Sequence, residues 1–147
     1  MKFLEETLVD FNATAASPEE AIQKAGQLLL QSGAIQSSYI DAMIASYHEN
    51  GPYFVLAPQL AIPHARPEDG ANEAALSMIK LQKPLAFGHS VNDPVQLVFA
   101  LGAASSEEHL ALLQRLTRIL NKKENMEQLL SLKTYEELEK LLGGLNQ

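Results

Sequence analysis

The amino-acid sequence predicts an α/β layered sandwich, with helices flanking a central mixed β-sheet. Two observations carry that expectation. Both ends of the chain show helical periodicity behind capping residues, and the middle holds β-rich apolar runs broken by prolines. A third observation sets the organisation. The 147 residues contain no repeat, no low-complexity tract and no linker-like stretch, so one domain is expected over 1–147.

The first helix is marked by Ser17 as cap, Pro18 at its first position and Glu20 completing a capping box. Ala21, Ile22, Ala25, Leu28 and Leu29 then form one apolar stripe, and Gly33 stops the helix. A second helix is expected from near Ser38. Its stripe is Ile40, Met43, Ile44 and Tyr47, and Gly51-Pro52 ends it.

Tyr53-Phe54-Val55-Leu56 reads as a short strand, after which Pro58, Pro63 and Pro67 disfavour helix as far as Gly70. Ala74 to Leu81 reads as a strand with Ala74, Leu76 and Met78 on one face. Val95 to Leu101 is nearly all apolar, as expected for a central strand buried on both sides, and Asn92-Asp93-Pro94 before it is a turn. Ser105 and Glu108 form another capping box, with Leu112, Leu113, Leu116, Ile119 and Leu120 on the buried face that follows. Shorter helices are expected over Met126 to Leu130 and Thr134 to Leu142, the last ended by Gly143-Gly144.

Composition narrows the function. Hydrophobic residues make up 46% and charged residues 20%, the balance of a globular protein that needs no staple. Cysteine is absent, which removes disulfides, thiolate chemistry and cysteine-ligated zinc. The net charge of -7, with only 11 Lys and Arg, argues against nucleic acid as partner. The first residues, Met1-Lys2-Phe3-Leu4-Glu5-Glu6, do not resemble a signal peptide, and no stretch approaches the ~20 apolar residues of a membrane span. A cytoplasmic protein that does not insert into the membrane is expected.

The chemically informative stretch runs from Glu49 to Pro67. Within it, His64 is flanked by Pro63, which stiffens the chain, and by Ala65, which leaves space beside the ring. Leu60, Ala61 and Ile62 anchor the loop to the core, and Arg66 follows two residues after the histidine. An uncrowded imidazole, neutral at pH 7, beside a guanidinium is a reasonable nucleophile for a phosphoryl group. Local chemistry alone favours the plainer reading, a structural turn residue or a surface side chain.

The spacing adds a resemblance. Glu49, then Leu56-Ala57, then Leu60-Ala61-Ile62-Pro63-His64-Ala65 fill every constrained position of a pattern. It resembles the active-site signature of the mannitol/fructose-type (EIIA type 2) domains of the bacterial phosphotransferase system. The longer form, Gly51-Pro52-Tyr53-Phe54 with Pro63-His64-Ala65-Arg66-Pro67-Glu68, is most similar to the ascorbate-type branch. The resemblance covers Leu4 to Leu142.

The resemblance implies a phosphocarrier. His64 would accept a phosphoryl group from the phosphocarrier HPr on its tele nitrogen, Nε2, and pass it to a IIB component during sugar uptake. The pros nitrogen would be left to bond a backbone carbonyl. The membrane component IIC is an indirect partner and binds the sugar, so the identity of the sugar is not written in a IIA sequence. A second family histidine corresponds to His109, 45 residues after His64, placed in the first turn after the Ser105 cap. Its implied task is to orient His64 or to contact the phosphoryl group. Where many mannitol-type members carry arginine, 16 residues before the active histidine, this chain has His48. Arg66 is the candidate for the missing charge, with His48 the other. His89 and Asp93 are read as turn residues. No cofactor or metal is required, since protein groups and the partner neutralise the charge. An exposed apolar apron of Leu60, Ile62 and Ala65 is expected around His64 for a transient partner. Two rivals stand: a regulatory phosphohistidine domain of the same fold without sugar transport, and a metal-dependent hydrolase using His48, His64 and His109. Oligomeric state is open, a homo-oligomer included.

Overall fold

The computed structural model describes residues 1–145; Asn146 and Gln147 lie outside the described residues. A five-stranded mixed sheet forms the middle layer. Its strands are β1 (Lys2–Phe3), β2 (Val9–Ala13), β3 (Leu60–Ala61), β4 (Ala75–Leu85) and β5 (Val95–Gly102). The path runs β1-β4-β5-β3, and β2 also pairs with β4. β4 and β5 are antiparallel, whereas β1 and β2 lie parallel to β4 and β3 lies parallel to β5.

Helices α1 (Pro18–Gln31) and α2 (Ser37–Asn50) cover one face. There Ile22, Ala25, Leu29, Tyr39, Ile40 and Met43 pack with Ala75, Ile79, Val98 and Ala100. Helices α3 (Ser106–Leu120), α4 (Lys123–Ser131) and α5 (Tyr135–Leu145) cover the other. On that side Leu112, Leu116, Ile119, Leu129 and Leu138 pack with Leu76, Met78, Leu97, Phe99 and Leu101. Alternate residues of β4 and β5 thus point to opposite cores, the period-2 geometry of a strand buried on both faces. The expected layered sandwich and mixed sheet are what the chain forms.

The caps read from sequence are present. Ser17 Oγ accepts from Glu20 N–H, and Ser105 Oγ accepts from Glu108 N–H. In each case the glutamate carboxylate returns to the residue before the cap, Ala16 or Ala104, rather than to the cap's own N–H. Gly33 (φ +83) and Gly51 (φ +75) end α1 and α2 in the left-handed region, where a Cβ is costly. Gly26 has a different task. A Cβ there would lie 2.9 Å from Ile40 Cγ1, so its lack of a side chain lets α1 approach α2.

The structure corrects three expectations and fills one stretch left unassigned, the N-terminal segment. Tyr53 to Leu56 is not a strand: Tyr53 and Phe54 lie in a turn after Gly51-Pro52, and Phe54 and Val55 are buried from irregular backbone. The ladder contact comes later, at Leu60–Ala61, because Pro58 and the positive φ of Gln59 (+68) redirect the chain first. Second, the N-terminal segment contributes β1 and β2, although short segments with polar Asp10 and Asn12 gave little signal. Third, α5 runs through Gly143-Gly144 to Leu145. Glycine near a helix end costs only about 1 kcal/mol relative to alanine. Fourth, Leu60 and Ile62 are in the core, 1% and 3% exposed, so they form no apron.

Candidate functional site

β3 and the loop after it carry His64. Leu60 and Ala61 pair with Leu97 and Val98, and the chain stays beside β5 long enough for His64 to bridge Leu101 in parallel register. Leu101 N–H donates to Pro63 C=O at 3.1 Å. The His64 ring is then fixed by Nδ1, 2.9 Å from Ile62 C=O. A carbonyl only accepts, so Nδ1 carries the proton. In the neutral ring that leaves Nε2 with an unshared pair.

His64 lines a cleft of about 740 Å³. One wall is the second half of α2 (Ala42, Ala45, Ser46, Glu49, Asn50), and the other includes Ser106 and His109 of α3. Tyr53 and the segment Ala65 to Asp69 complete the lining. The imidazoles of His64 and His109 meet edge to face, with ring centroids 5.1 Å apart, and Tyr53 approaches His64 at 6.0 Å. Tyr53 hydroxyl pairs with Ser46 Oγ at 3.0 Å.

His109 is held by the start of α3. Its N–H makes the first helical bond, to Ser105 C=O at 3.0 Å, while Ser106 and Glu107 present N–H groups with no acceptor inside the helix. Burial, and then the neighbouring His64, push the His109 pKa below its ordinary value. It is thus neutral at pH 7 beside an empty-handed His64, and a negative charge nearby would favour its cation.

Arg66 is the one Lys or Arg among the residues lining the cleft. Its side chain is exposed and lies 3.5 Å from both Glu68 and Asp69 carboxylates. Asp69 also accepts from Arg66 N–H at 3.0 Å, closing the short 3-10 turn Pro67–Asp69. The candidate cation is present at the cleft but already engaged.

The other histidines lie elsewhere. His48 Nε2 is 3.2 Å from Glu19 Oε2 of α1 and does not line the cleft. This geometry keeps His48 off the cleft lining and parts the trio required by the metal-hydrolase reading. Among the described residues no group of three or more His, Asp or Glu is arranged to hold a metal ion. His89 Nδ1 accepts from the N–H groups of Val91 and Asn92, and Asp93 accepts from those of Phe87, Gly88 and His89. Both are turn residues, as expected.

The structure adds residues that sequence reading passed over. Tyr53 lies in the segment expected as a strand, and Ser106 directly follows the Ser105 cap. Tyr39 has no local signal at all; only the fold brings its hydroxyl beneath the His64 loop.

Two histidines facing each other at one cleft, on a three-layer α/β sandwich, fit the class of domain that the sequence resembles. Residues 2–143 match the family model described as "Phosphoenolpyruvate-dependent sugar phosphotransferase system, EIIA 2". The chain belongs to that family. The "Ascorbate-specific PTS system EIIA component" of Escherichia coli (strain K12) is 31% identical over 139 residues, 94% of this chain and 90% of the relative. Among solved structures, the mannitol-specific cryptic phosphotransferase enzyme IIA CmtB from Escherichia coli superposes with a TM-score of 0.83 at 33% identity, covering 95% of this chain and 94% of that one. The complex of enzyme IIAMTL with phosphorylated enzyme IIBMTL from the same species gives a TM-score of 0.84 at 26% identity, covering 97% and 99%. No helix among the described residues is long and apolar enough to cross a membrane.

Proposed function

We propose that this chain is a cytoplasmic phosphocarrier: His64 Nε2 takes a phosphoryl group from phospho-HPr and hands it to a IIB component for coupled sugar uptake. The observation that carries the reading is the bond from His64 Nδ1 to Ile62 C=O, which leaves Nε2 as the nucleophilic nitrogen of a residue lining the cleft. In the transfer, the Nε2 pair forms a bond to phosphorus as the bond to the donor's imidazole nitrogen breaks and its electrons return to that ring. Such chemistry depends on alignment and on donors for the equatorial oxygens. His109, the first N–H groups of α3 and Arg66 supply them here. No cofactor or metal enters this scheme.

Partner assignment follows the family and the relatives. The mannitol complex pairs a IIA protein with its phosphorylated IIB. The curated relatives named ascorbate-specific support an ascorbate-type system as the setting. The partner-facing apolar surface is reassigned from Leu60 and Ile62 to the exposed Tyr53, Leu56 and Leu110, with Ala65 retained.

The test is incubation with phosphoenolpyruvate, enzyme I and HPr, followed by intact mass and phosphohistidine mapping. One acid-labile phosphoryl group on His64 Nε2, absent in His64→Ala, is expected, and a cognate IIB domain should discharge it. Phosphorylation without discharge to IIB would favour the regulatory domain. No phosphorylation would end the carrier reading.

A further inference from the structure

Tyr39 lies on α2, wholly buried, with its ring in the core beneath the His64 loop. Its hydroxyl has three neighbours: Leu101 C=O at 2.7 Å, Ala65 N–H at 3.0 Å and Ala65 C=O at 3.1 Å. The single hydroxyl proton goes to the nearest oxygen, that of Leu101, and the oxygen accepts from Ala65 N–H. Burial pushes the phenol up to about 12, so the proton is retained throughout the neutral range.

These bonds close a ring around the nucleophile. Leu101 N–H holds Pro63 C=O, on one side of His64. Leu101 C=O holds the Tyr39 hydroxyl, which holds Ala65 N–H on the other side. Both neighbours of His64 are therefore pinned to one residue of β5. Leu101 stands at the end of β5, four residues before the Ser105 cap of the helix that carries His109. The hydroxyl thus joins the segment bearing one histidine to the segment leading to the other.

We propose that Tyr39 is a positioning residue for phosphoryl transfer at His64, its hydroxyl fixing the His64 loop against β5 so that Nδ1 stays on Ile62 C=O and Nε2 faces its reaction partner. The proposal rests on the phosphocarrier reading for its kinetic consequence, but its geometric consequence is independent of it. With the hydroxyl gone, the Pro63 side stays tied and the Ala65 side is released. The ring can then turn on its own loop, and a small misplacement of a nucleophile costs rate steeply.

Tyr39→Phe is the test, because it keeps the buried ring and removes only the hydroxyl. Ser77→Ala is the control: Ser77 is also wholly buried and gives its hydroxyl to Ala25 C=O at 2.8 Å, on β4 away from the cleft. Single-turnover phosphorylation by phospho-HPr is expected to slow by about tenfold or more in Tyr39→Phe, and to keep its wild-type rate in Ser77→Ala despite a comparable loss of stability. Nitrogen NMR of the unphosphorylated protein is expected to show His64 moving from the Nδ1–H tautomer to a mixture in Tyr39→Phe alone. Equal slowing in both variants, or an unchanged His64 tautomer and rate in Tyr39→Phe, overturns the proposal. If wild type accepts no phosphoryl group, the carrier reading falls while the NMR comparison still decides the role of Tyr39. Should Tyr39→Phe fail to fold, amide exchange in wild type replaces it. Ala65 N–H is expected to be protected like the strand residues, and exchange at the rate of an open loop overturns the proposal.

Discussion

His64 and His109 come from segments 45 residues apart, yet their rings meet edge to face at 5.1 Å across the mouth of one cleft. The pairing sets a histidine with an unshared pair on Nε2 against a neighbour whose pKa is lowered first by burial and then by this contact.

That contact has a pH signature. Burial and the adjacent His64 hold the His109 pKa below the 6.5 of a free imidazole. In the unfolded chain the penalty is absent, so between the two values the unfolded state binds more protons and stability rises with pH. Stability is therefore full above the unfolded value and falls as the pH drops through it toward the folded one. Thermal midpoints measured at about pH 7.5 and about pH 5.5 should differ in that direction. His109→Gln should reduce the difference. An undiminished difference in that variant would place the effect in other groups.

Arg66 offers a second prediction, tied to the carrier reading. A hydrogen bond to a charged group is worth about 1.5–3 kcal/mol, so Arg66→Ala should slow phosphoryl acceptance by about ten- to a hundredfold. Asp69→Asn removes the charge that engages the guanidinium but keeps an oxygen for Arg66 N–H. It should lengthen the life of the phosphorylated protein, read as the hydrolysis rate. A rate loss matching that of Arg66→Ala would mean instead that the pair serves to hold the turn.

The two helix caps separate stability from function. Ser17 and Ser105 make the same bond, at 3.2 Å in each case, to the N–H three residues on. Replacing either with alanine should cost about 1 kcal/mol in urea unfolding. Only Ser105→Ala should also slow transfer, because His109 sits in the turn that Ser105 caps. Equal kinetics in the two variants would remove that link.

Asp93 tests the loop before β5. Its carboxylate accepts from three N–H groups, those of Phe87, Gly88 and His89. Asp93→Ala should lose about 2–3 kcal/mol, given the worth of hydrogen bonds to a charged acceptor in a partly exposed site. Denaturant titration would show it as a lower midpoint at unchanged slope. A loss below ~0.5 kcal/mol, the usual range for surface changes, would mean that the loop holds without it.

How much of this was legible beforehand varies by residue. His64 is a candidate through its neighbours, with proline before it, alanine after it and an apolar anchor upstream, and the resemblance of the whole signature from Glu49 to Ala65 raises it above a turn histidine. His109 is singled out by the resemblance, 45 residues after His64, and the Ser105 cap then puts it in the first turn of a helix. The apron failed because Leu60 and Ile62 are apolar in a loop, and apolar residues beside a functional group are as often its anchor as its rim.

The sequence by itself determined what depends on near neighbours in the chain. Helix caps, the twice-buried strand, the turn at Asp93 and the stiff setting of His64 are all local chemistry. Tertiary structure alone decided which residues meet. It set the partner of His64 across the cleft, sent His48 to Glu19, and engaged Arg66 with Asp69 in preference to leaving it free. It also brought the Tyr39 hydroxyl to Leu101, 62 residues away. The physical reason is that burial is non-directional: hydrophobic patterning says that Tyr39 goes inside, and only the packed sheet fixes which carbonyl its hydroxyl must find there.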